Sequence, residues 1–349
     1  MKRVAVIPGD GIGVEVTREA LRVLEALDLD VATQHFDWGA ERYLATREAV
    51  PPGAFDDLSA NYDAILFGAV GDPRVPDGAH AREILLGMRF QLDLYINLRP
   101  VHLFEEHLTP LKNKRPADID FVVFRENTEG LYAGMGGNFK KNTPDEVAIN
   151  DDVNSRKGVD RILRAAFEHA RHHARRKRLC MTDKANALEY AHGLWRRALA
   201  AMQKEYPDVE TSVLYVDVCA MEMVRAPERF DVIVTSNMFG DIITDLGAAI
   251  AGGLGLAASG NIHPGRVSLF EPVHGSAPDI AGKGLANPLG SILTLALLLD
   301  HIGEPAAGAR VERAVRRVVA AGAVTRDLGG TLGTSQCTDG VLDALRQEA

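Results

Sequence analysis

The sequence predicts an α/β fold with helices on both faces of a sheet. Short apolar runs rich in β-branched residues, at residues 4–7, 63–67 and 230–235, alternate with amphipathic helical patterns. Glycine-rich turns come directly after the first two of these strands, as is typical of α/β units. At 349 residues the chain exceeds the usual size of one domain, so we expect two.

The composition is that of an ordinary globular protein, with 46% hydrophobic and 25% charged residues. Its 48 acidic side chains outnumber its 39 basic ones, which argues against a nucleic-acid or anionic-membrane binder. The N-terminus has no signal-peptide pattern, and the charge-free residues 246–265 are better explained by a core helix and its loop than by a membrane span. We therefore expect a cytoplasmic protein with three reduced cysteines: Cys180, Cys219 and Cys337.

The first predicted elements are a strand at residues 4–7, a glycine turn at residues 8–13 and a helix to about residue 27. The glycines of the turn occupy positions 9, 11 and 13, so the GxGxxG spacing of a Rossmann dinucleotide turn is not met. The sequence thus has the strand, turn and helix of a nucleotide-binding unit without its usual fingerprint.

The central part of the chain alternates helices and strands with one long polar segment. We predict a helix at residues 81–90, a strand at 119–124 and a helix at 159–176. Residues 130–150 are glycine-rich and too long for a tight turn, so they form either a flexible surface loop or a protruding arm used in association. Further along, the apolar and amphipathic patterns predict helices at residues 289–299 and 309–319.

Predicted strands at residues 178–181, 212–216 and 230–235 present charged side chains beyond their carboxyl ends. These side chains are Asp183, Lys184, Asp217 and Asp241. Ligands of α/β sheets bind at the carboxyl ends of strands, so we expect the functional site at this edge.

Asp241 and Asp245 lie one helical turn apart, so their carboxylates project from one face near the start of a helix. Like charges at this spacing repel unless a cation lies between them. Carboxylate oxygens suit Mg²⁺ or Mn²⁺, which keep open positions for water or substrate. A solvated helix start favoured by the helix dipole explains the pair equally well at this stage.

Three arginines would form a clamp for a di- or tricarboxylate if they converge, because planar guanidinium groups bind carboxylates in a forked geometry. They are Arg89, Arg99 and Arg125. Singly, each is better explained by an ordinary surface ion pair. Tyr132 and Lys184, taken alone, are better explained as a half-buried aromatic and a surface cation than as a general acid and base. Asp217 is either a further metal ligand or a helix N-cap.

Residues 270–288 form a segment rich in glycine, proline and small polar residues, and this segment contains His274. Exposed backbone amides in such a loop can hold an adenine and a pyrophosphate. A carboxylate at Asp279 would accept hydrogen bonds from ribose hydroxyls and repel a 2′-phosphate, which favours NAD over NADP. A turn aspartate after Pro278 is the alternative.

Six motifs and one aspartate together resemble the β-decarboxylating dehydrogenases that act on isopropylmalate, isocitrate, homoisocitrate, tartrate and malate. In chain order they are IPGDGIG (7–13), NLRP (97–100), RENTEG (125–130) with Tyr132, DKAN (183–186), Asp217, NMFGDIITD (237–245) and EPVHGSAP (271–278). The resemblance implies a two-domain α/β fold with a mixed sheet flanked by helices, which is not a GxGxxG Rossmann fold. It places most of the NAD site in a larger domain, residues 1–99 and 253–349. The smaller domain, residues 100–252, would carry the dimer contact and an arm at about residues 133–150.

The same resemblance implies roles for individual residues, in a homodimer whose active sites are shared because Lys184 and Asp217 reach into the partner's site. The implied groups are Lys184, Tyr132 and Asp217 for catalysis; Asp217, Asp241 and Asp245 for one Mg²⁺ or Mn²⁺; Arg89, Arg99, Arg125, Leu85 and Leu86 for the substrate; and His274, Gly275, Ser276, Ala277, Asp279, Asn287 and Gly71 for NAD.

The residues just before Arg89 indicate which substrate the site accepts. They are Ile84, Leu85 and Leu86. Family members that act on isopropylmalate place leucines here against the isopropyl group, whereas isocitrate enzymes place Ser and Asn. Burying an unpaired carboxylate against leucines is costly, so the resemblance implies NAD-dependent oxidative decarboxylation of 3-isopropylmalate, a step of leucine biosynthesis.

Some positions depart from the family pattern. Arg82 stands where many isopropylmalate enzymes carry a glutamate near the nicotinamide, and Val14 replaces a usual proline. Residues 72–77 are also similar to tartrate and D-malate enzymes, which are the alternative. A non-catalytic nucleotide-binding regulatory subunit is disfavoured, because such a subunit has no reason to keep Lys184, Tyr132, Asp217 and the three arginines.

Overall fold

The computed structural model describes residues 1–348, which form two compact units. Unit 1 consists of Met1–Leu94, His102–Pro116 and the chain from Ala248 onward; unit 2 consists of Tyr95–Val101 and Ala117–Gly247. The predicted domain boundaries therefore differ from the observed ones by about five residues at two places and by the segment His102–Pro116. This segment belongs to unit 1 because Phe104 and Leu108 pack into the hydrophobic core of that unit.

The strands are β1 (Lys2–Gly9), β2 (Val31–His35), β3 (Ala64–Ala69), β4 (Ile96–His102), β5 (Asp120–Glu126), β6 (Gly136–Phe139), β7 (Val147–Asn150), β8 (Arg178–Asp183), β9 (Glu210–Tyr215), β10 (Val232–Thr235), β11 (Ala258–Ile262) and β12 (Ser268–Pro272). The α-helices are α1 (Ile12–Ala26), α2 (Ala40–Thr46), α3 (Ala54–Asn61), α4 (Ala79–Ala81), α5 (Gly87–Gln91), α6 (Arg156–His172), α7 (Glu189–Met202), α8 (Val216–Arg225), α9 (Asn237–Ile250), α10 (Leu289–His301), α11 (Pro305–Ala320) and α12 (Thr334–Arg346).

Unit 1 contains strands in the order β2-β1-β3-β12-β11, all parallel except β11, which is antiparallel to β12. Successive residues of β1 face opposite sides of this sheet. Val4 and Val6 pack into a hydrophobic cluster with α1, α10, α11 and α12, whereas Ala5 and Ile7 pack into a second cluster with Trp38. Burial on both faces explains why these strands are continuous apolar runs in the sequence.

Unit 2 contains strands in the order β4-β5-β10-β8-β9, of which β5, β10, β8 and β9 are parallel. Helix α6 lies against β5, β10 and β8 through a buried apolar face that includes Ile162 and Phe167. The polar segment after residue 130 forms an antiparallel hairpin of β6 and β7, in which Gly136 pairs with Asn150 and Phe139 with Val147. All its strand residues are exposed, so the segment is an arm and not an irregular loop.

Several predicted elements have different bounds in the structure. The helix expected at residues 81–90 is interrupted by a π-helical turn, Arg82–Leu86, between α4 and α5. The helix expected at residues 159–176 begins at Arg156, where the Ser155 hydroxyl accepts a hydrogen bond from the Gly158 amide at 2.9 Å, and ends at His172.

Residues 246–265, expected to be a core helix and its loop, contain a strand that periodicity did not reveal. They comprise the end of α9 and the whole of β11. The polar residues of β11 are buried because Glu271 satisfies them: Ser259 donates to its carbonyl at 3.0 Å and Asn261 to its carboxylate at 2.8 Å. No helix within residues 1–348 is both long and apolar enough to cross a membrane.

Candidate active site

Asp241 and Asp245 project from the same side of α9, directly after β10. One guanidinium contacts both carboxylates: an Arg99 nitrogen lies 3.6 Å from Asp241 and another lies 3.8 Å from Asp245. Their side chains are 38% and 66% exposed, so solutes can reach both. The pair is therefore held by a cation from β4 and is not merely a solvated helix start.

Arg125, at the end of β5, is the most buried charged group of this site, with 1% of its side chain exposed. Its Nε and Nη2 donate to the Asn237 side-chain oxygen at 3.0 and 2.7 Å, and its Nη1 donates to Asp241. A Cβ atom at position 240 would overlap the Arg125 side chain, so Gly240 allows the arginine to lie directly on α9.

Tyr132 completes this group. Its hydroxyl donates to Asp241 Oδ2 at 2.7 Å, and its ring lies 5.2 Å from the Arg125 guanidinium carbon. The phenol is thus half-buried, as expected of a core aromatic, but its polar end is directed at the acidic pair. We call Arg99, Arg125, Tyr132, Asp241 and Asp245 the Asp241 cluster.

Lys184 and Asp217 form a second charged group of unit 2, with Nζ and Oδ1 2.6 Å apart. The Lys184 amine lowers the pKa of the Asp217 carboxyl through this hydrogen bond. Asp217 is the second residue of α8, and Tyr215 occupies the N-cap position, so the N-cap explanation for Asp217 does not hold. We call these two residues the Lys184 pair.

A buried histidine supports the Lys184 pair. The Lys184 amide donates to His192 Nδ1 at 2.7 Å. His192 is 1% exposed, and burial lowers its pKa because the charged imidazolium is poorly solvated there. The neutral imidazole is the form that can accept this hydrogen bond.

Within residues 1–348, no group of three or more His, Cys, Asp or Glu side chains is placed to hold a metal ion. Asp217 accordingly does not join Asp241 and Asp245 within one chain. The two carboxylates of α9 still fit a divalent ion, because they supply hard oxygen ligands on one accessible face.

The remaining predicted substrate residues belong to unit 1. Arg89 is buried in α5 and forms an ion pair with Glu271, Nη2 to Oε1 3.0 Å. Leu85 and Leu86 are half-buried in the π-helical turn. Such turns occur frequently at functional sites.

The predicted NAD residues of unit 1 include a loop that lies on the IPGDGIG motif. The Ile12 amide donates to the Ser276 carbonyl at 2.8 Å, and a Cβ at Gly11, where φ is +57°, would overlap that carbonyl. Gly71 approaches the same loop, since a Cβ there would lie 3.4 Å from the Ser276 hydroxyl. The structure therefore gathers Gly71 and residues 274–277 around one glycine-rich turn.

His274 is the side chain of this loop with the clearest capacity to bind a ligand. Its Nδ1 lies 3.0 Å from the Gly275 carbonyl, and its buried Nε2 has no hydrogen-bond partner among the described residues. Burial lowers its pKa, so the ring is neutral near pH 7. A buried, unpaired ring nitrogen beside exposed backbone fits a nucleotide.

The last two predicted NAD residues, Asp279 and Asn287, differ in solvent exposure. Asp279 is exposed, whereas Asn287 is buried. The Asn287 amide already donates to Asp327 at 2.9 Å and accepts from the Leu289 amide at 3.0 Å, at the start of α10. Its role in NAD binding stays a prediction.

Three residues that position the site were not predicted from the sequence. Thr244 accepts a hydrogen bond from Arg99 at 2.6 Å, and helical spacing on α9 would have identified it. Glu271 and His192 gave no such signal. Glu271 is 182 residues from Arg89, and His192 meets the Lys184 backbone only because of the turn between β8 and α7.

Comparison with known proteins gives the family of this chain. The sequence model of the isocitrate/isopropylmalate dehydrogenase family matches residues 3–341. A protein named 3-isopropylmalate dehydrogenase from Mycolicibacterium paratuberculosis is 53% identical over 91% of this chain and 94% of its own length. One of the same name from Corynebacterium jeikeium is 50% identical over 99% of this chain and 100% of its own.

Among solved structures, isocitrate dehydrogenase from Methylococcus capsulatus is similar, with a TM-score of 0.90 and 41% identity over 99% of this chain and 100% of that one. The predicted α/β fold with a mixed sheet is confirmed. The chain belongs to the isocitrate/isopropylmalate dehydrogenase family.

Proposed function

We propose that the protein is a homodimer that oxidatively decarboxylates (2R,3S)-3-isopropylmalate to 4-methyl-2-oxopentanoate and CO₂, with NAD⁺ and Mg²⁺ or Mn²⁺. The observation that carries the proposal is the Asp241 cluster, in which one carboxylate meets Arg99, Arg125 and Tyr132. The names of the relatives that are about half identical to this chain support the substrate.

Asp241 and Asp245, with the partner's Asp217, would hold the divalent ion. When bound, the ion supplies Lewis acidity at the 2-hydroxyl and the adjacent carboxylate, and NAD⁺ supplies the hydride acceptor. Gly71, His274 and residues 275–277 would hold the nucleotide, and Asp279 would select NAD over NADP through the ribose hydroxyls.

The arginines bind the substrate carboxylates. Arg99 and Arg125 are fixed by Thr244 and Asn237, so their positive charge is in place before the substrate arrives. Arg89 contributes a third guanidinium, and the side chains of Leu85 and Leu86 supply apolar contacts for the isopropyl group. An added carboxylate at that place would be buried without a partner, which disfavours isocitrate.

Two side chains move protons. Lys184 of the partner subunit would accept the 2-hydroxyl proton while C2 is oxidised to give a β-keto acid, and bound NAD⁺ would supply the hydride acceptor. The C–C bond to the C3 carboxylate then breaks, releasing CO₂ and leaving its electron pair as an enolate. Tyr132 protonates C3, the carbon that has lost the carboxylate. Its hydroxyl already donates a hydrogen bond to Asp241.

Exposed apolar side chains support association of two copies. They lie in unit 2, on the arm and on α8 and α9: Met135, Phe139, Val147, Ile149, Met221, Val224 and Ile242. Exposed apolar patches mark protein–protein contacts, so these side chains are where we expect the second copy to pack. A homodimer would also bring Lys184 and Asp217 to an Asp241 cluster.

The test is turnover by the purified protein with Mn²⁺ and either NAD⁺ or NADP⁺, scored as NADH or NADPH and CO₂ formed from equal concentrations of four acids. Isopropylmalate with NAD⁺ is expected to be fastest, ahead of D-malate, tartrate and isocitrate. Lys184→Met and Tyr132→Phe should each slow turnover by about 10²–10⁴-fold. Faster oxidation of D-malate or tartrate would assign the chain to that alternative, and normal isopropylmalate turnover by either variant would refute the proton transfers.

A further inference from the structure

Unit 1 contains a buried histidine–aspartate pair outside the predicted site. His80, in α4, is fully buried, and Asp10, in the IPGDGIG motif, is 7% exposed. Their side chains meet through His80 Nε2 and Asp10 Oδ2, 2.8 Å apart. Burying a carboxylate is costly unless it is fully hydrogen-bonded. The groups that donate hydrogen bonds to Asp10 therefore show which parts of the chain the pair holds in place.

Asp10 also accepts hydrogen bonds from two backbone amides. The Gly71 amide donates to Oδ2 at 2.9 Å, and the Ala40 amide donates to Oδ1 at 2.7 Å. The oxygen that receives His80 is therefore the same oxygen that receives Gly71. Rotation of the carboxylate would break its hydrogen bond to the Gly71 amide, and Gly71 belongs to the proposed NAD site, where a Cβ on it would lie 3.4 Å from the Ser276 hydroxyl.

His80 in turn fixes the beginning of the substrate segment. The chain continues from His80 into the π-helical turn Arg82–Leu86, which carries Leu85 and Leu86. The imidazole packs near the Tyr43 ring, with centroids 6.0 Å apart, so it is confined on a second side. One hydrogen bond thus connects this segment to the nucleotide turn.

We propose that His80 is a positioning residue: by anchoring Asp10 it sets the Gly71 amide for NAD and fixes the segment that presents Leu85 and Leu86 to the substrate. This inference rests on the proposed function. Because His80 is fully buried and acts through Asp10, its removal should weaken binding more than it slows the chemical step.

The test compares three variants of the full-length dimer by steady-state kinetics and by direct NAD⁺ titration. Neither His80→Leu nor the shorter His80→Asn can reach Asp10. Each variant should raise the KM for NAD⁺ and for isopropylmalate about tenfold, because it loses one charge-assisted hydrogen bond, and should leave kcat within about twofold. His80→Gln places an amide donor near the Nε2 position and should restore both KM values. His301→Leu, a half-buried histidine elsewhere in unit 1, is the control for losing an imidazole.

A double-mutant cycle separates positioning from general stability. In an Asp10→Asn background, His80→Leu should cause no further rise in KM, because the residue through which it acts is already altered. Additive effects, or wild-type KM values in His80→Leu and His80→Asn with only a lower Tm, would overturn the inference. An inactive wild-type protein would instead overturn the proposed function and this inference with it.

Discussion

The two charged groups of unit 2 differ in how firmly their own chain holds them. In the Asp241 cluster, the arginine side chains are 9% and 1% exposed, and Thr244 and Asn237 fix their guanidinium groups. In the Lys184 pair, Lys184 is 29% exposed and Asp217 is 63% exposed. The arginines of the Asp241 cluster are thus fixed by buried neighbours, whereas the Lys184 pair consists of a half-buried lysine and an exposed aspartate.

This difference has a chemical meaning if the two groups work together across a dimer. Groups that bind a dianionic substrate gain from being preorganised, because reorientation during reaction then costs little. Groups delivered by another subunit must be accessible before association. The contrast therefore supports shared active sites, and it can be tested at four levels.

The largest expected effect is complementation between two inactive variants. Asp241→Asn and Lys184→Met should each lose about 10²–10⁴-fold in turnover. A mixed dimer, purified through two different affinity tags after co-expression, should recover about half of wild-type activity, because one of its two sites then contains both native residues.

The mixed dimer also reports the opposite arrangement. If each chain supplied Lys184 to its own Asp241 cluster, both sites of the mixed dimer would lack one residue and no activity would return. Dimers carrying Asp241→Asn in both chains, purified with the same two tags, are the matched control. They should stay inactive under either arrangement.

The second effect concerns stability. Arg125→Met leaves Asp241 with Arg99 and Tyr132 but removes both donors from the buried Asn237 oxygen, so the free energy of unfolding should fall by about 1–3 kcal/mol. Lys184→Met removes an exposed ion pair and should leave the urea midpoint nearly unchanged. Equal losses of stability in the two variants would contradict the distinction between a fixed and an accessible group.

The acidic pair of the Asp241 cluster could be predicted from the sequence because its spacing is local, whereas its contacts with Arg125 and Tyr132 join residues more than 100 positions apart. Asp241 and Asp245 are four residues apart on one predicted helix, and the preceding strand is a clear apolar run. The α/β fold could be predicted for a similar reason, since strands such as β1 are buried on both faces and are apolar throughout.

Features set by long-range packing could not be predicted in this way. The pairing of Arg89 with Glu271 and the assignment of Phe104 to unit 1 depend on contacts between distant parts of the chain. Helical periodicity likewise cannot distinguish an α-helix from one interrupted at Arg82–Leu86. Local patterns identify elements, whereas these contacts determine which residues the elements bring together.

The third effect is the pH dependence of stability that comes from His192, the buried histidine that supports the Lys184 pair. Burial lowers the pKa of His192 in the folded protein, so as pH falls below about 6.5 the unfolded chain takes up a proton more readily and stability is lost. His192→Asn keeps an acceptor for the Lys184 amide but does not titrate. Its free energy of unfolding, measured by urea titration, should therefore fall less between pH 7 and pH 5, by up to about 1.4 kcal/mol per pH unit.

Other histidines provide the background for this measurement. Burial also lowers the pKa of His169, to about 4, and that of His301. Both residues are unchanged in the variant, so their contributions cancel in the difference between the two proteins. Identical pH profiles for wild type and His192→Asn would show that His192 is not held neutral by burial.

The smallest effect is the response of the two groups to salt. Exposed charges are largely screened at about 1 M ionic strength, where the Debye length is roughly 3 Å, whereas buried pairs are screened much less. The coupling between Lys184 and Asp217, measured by a double-mutant cycle on the urea midpoint with Met and Asn replacements, should be weak in low salt and vanish in high salt. The corresponding cycle for Arg125 and Asp241 should keep most of its coupling, because the guanidinium is shielded from solvent and fixed by Asn237. A coupling between Lys184 and Asp217 that resists salt would mean that this pair is shielded from solvent. It would contradict the claim that the Lys184 pair is accessible before association.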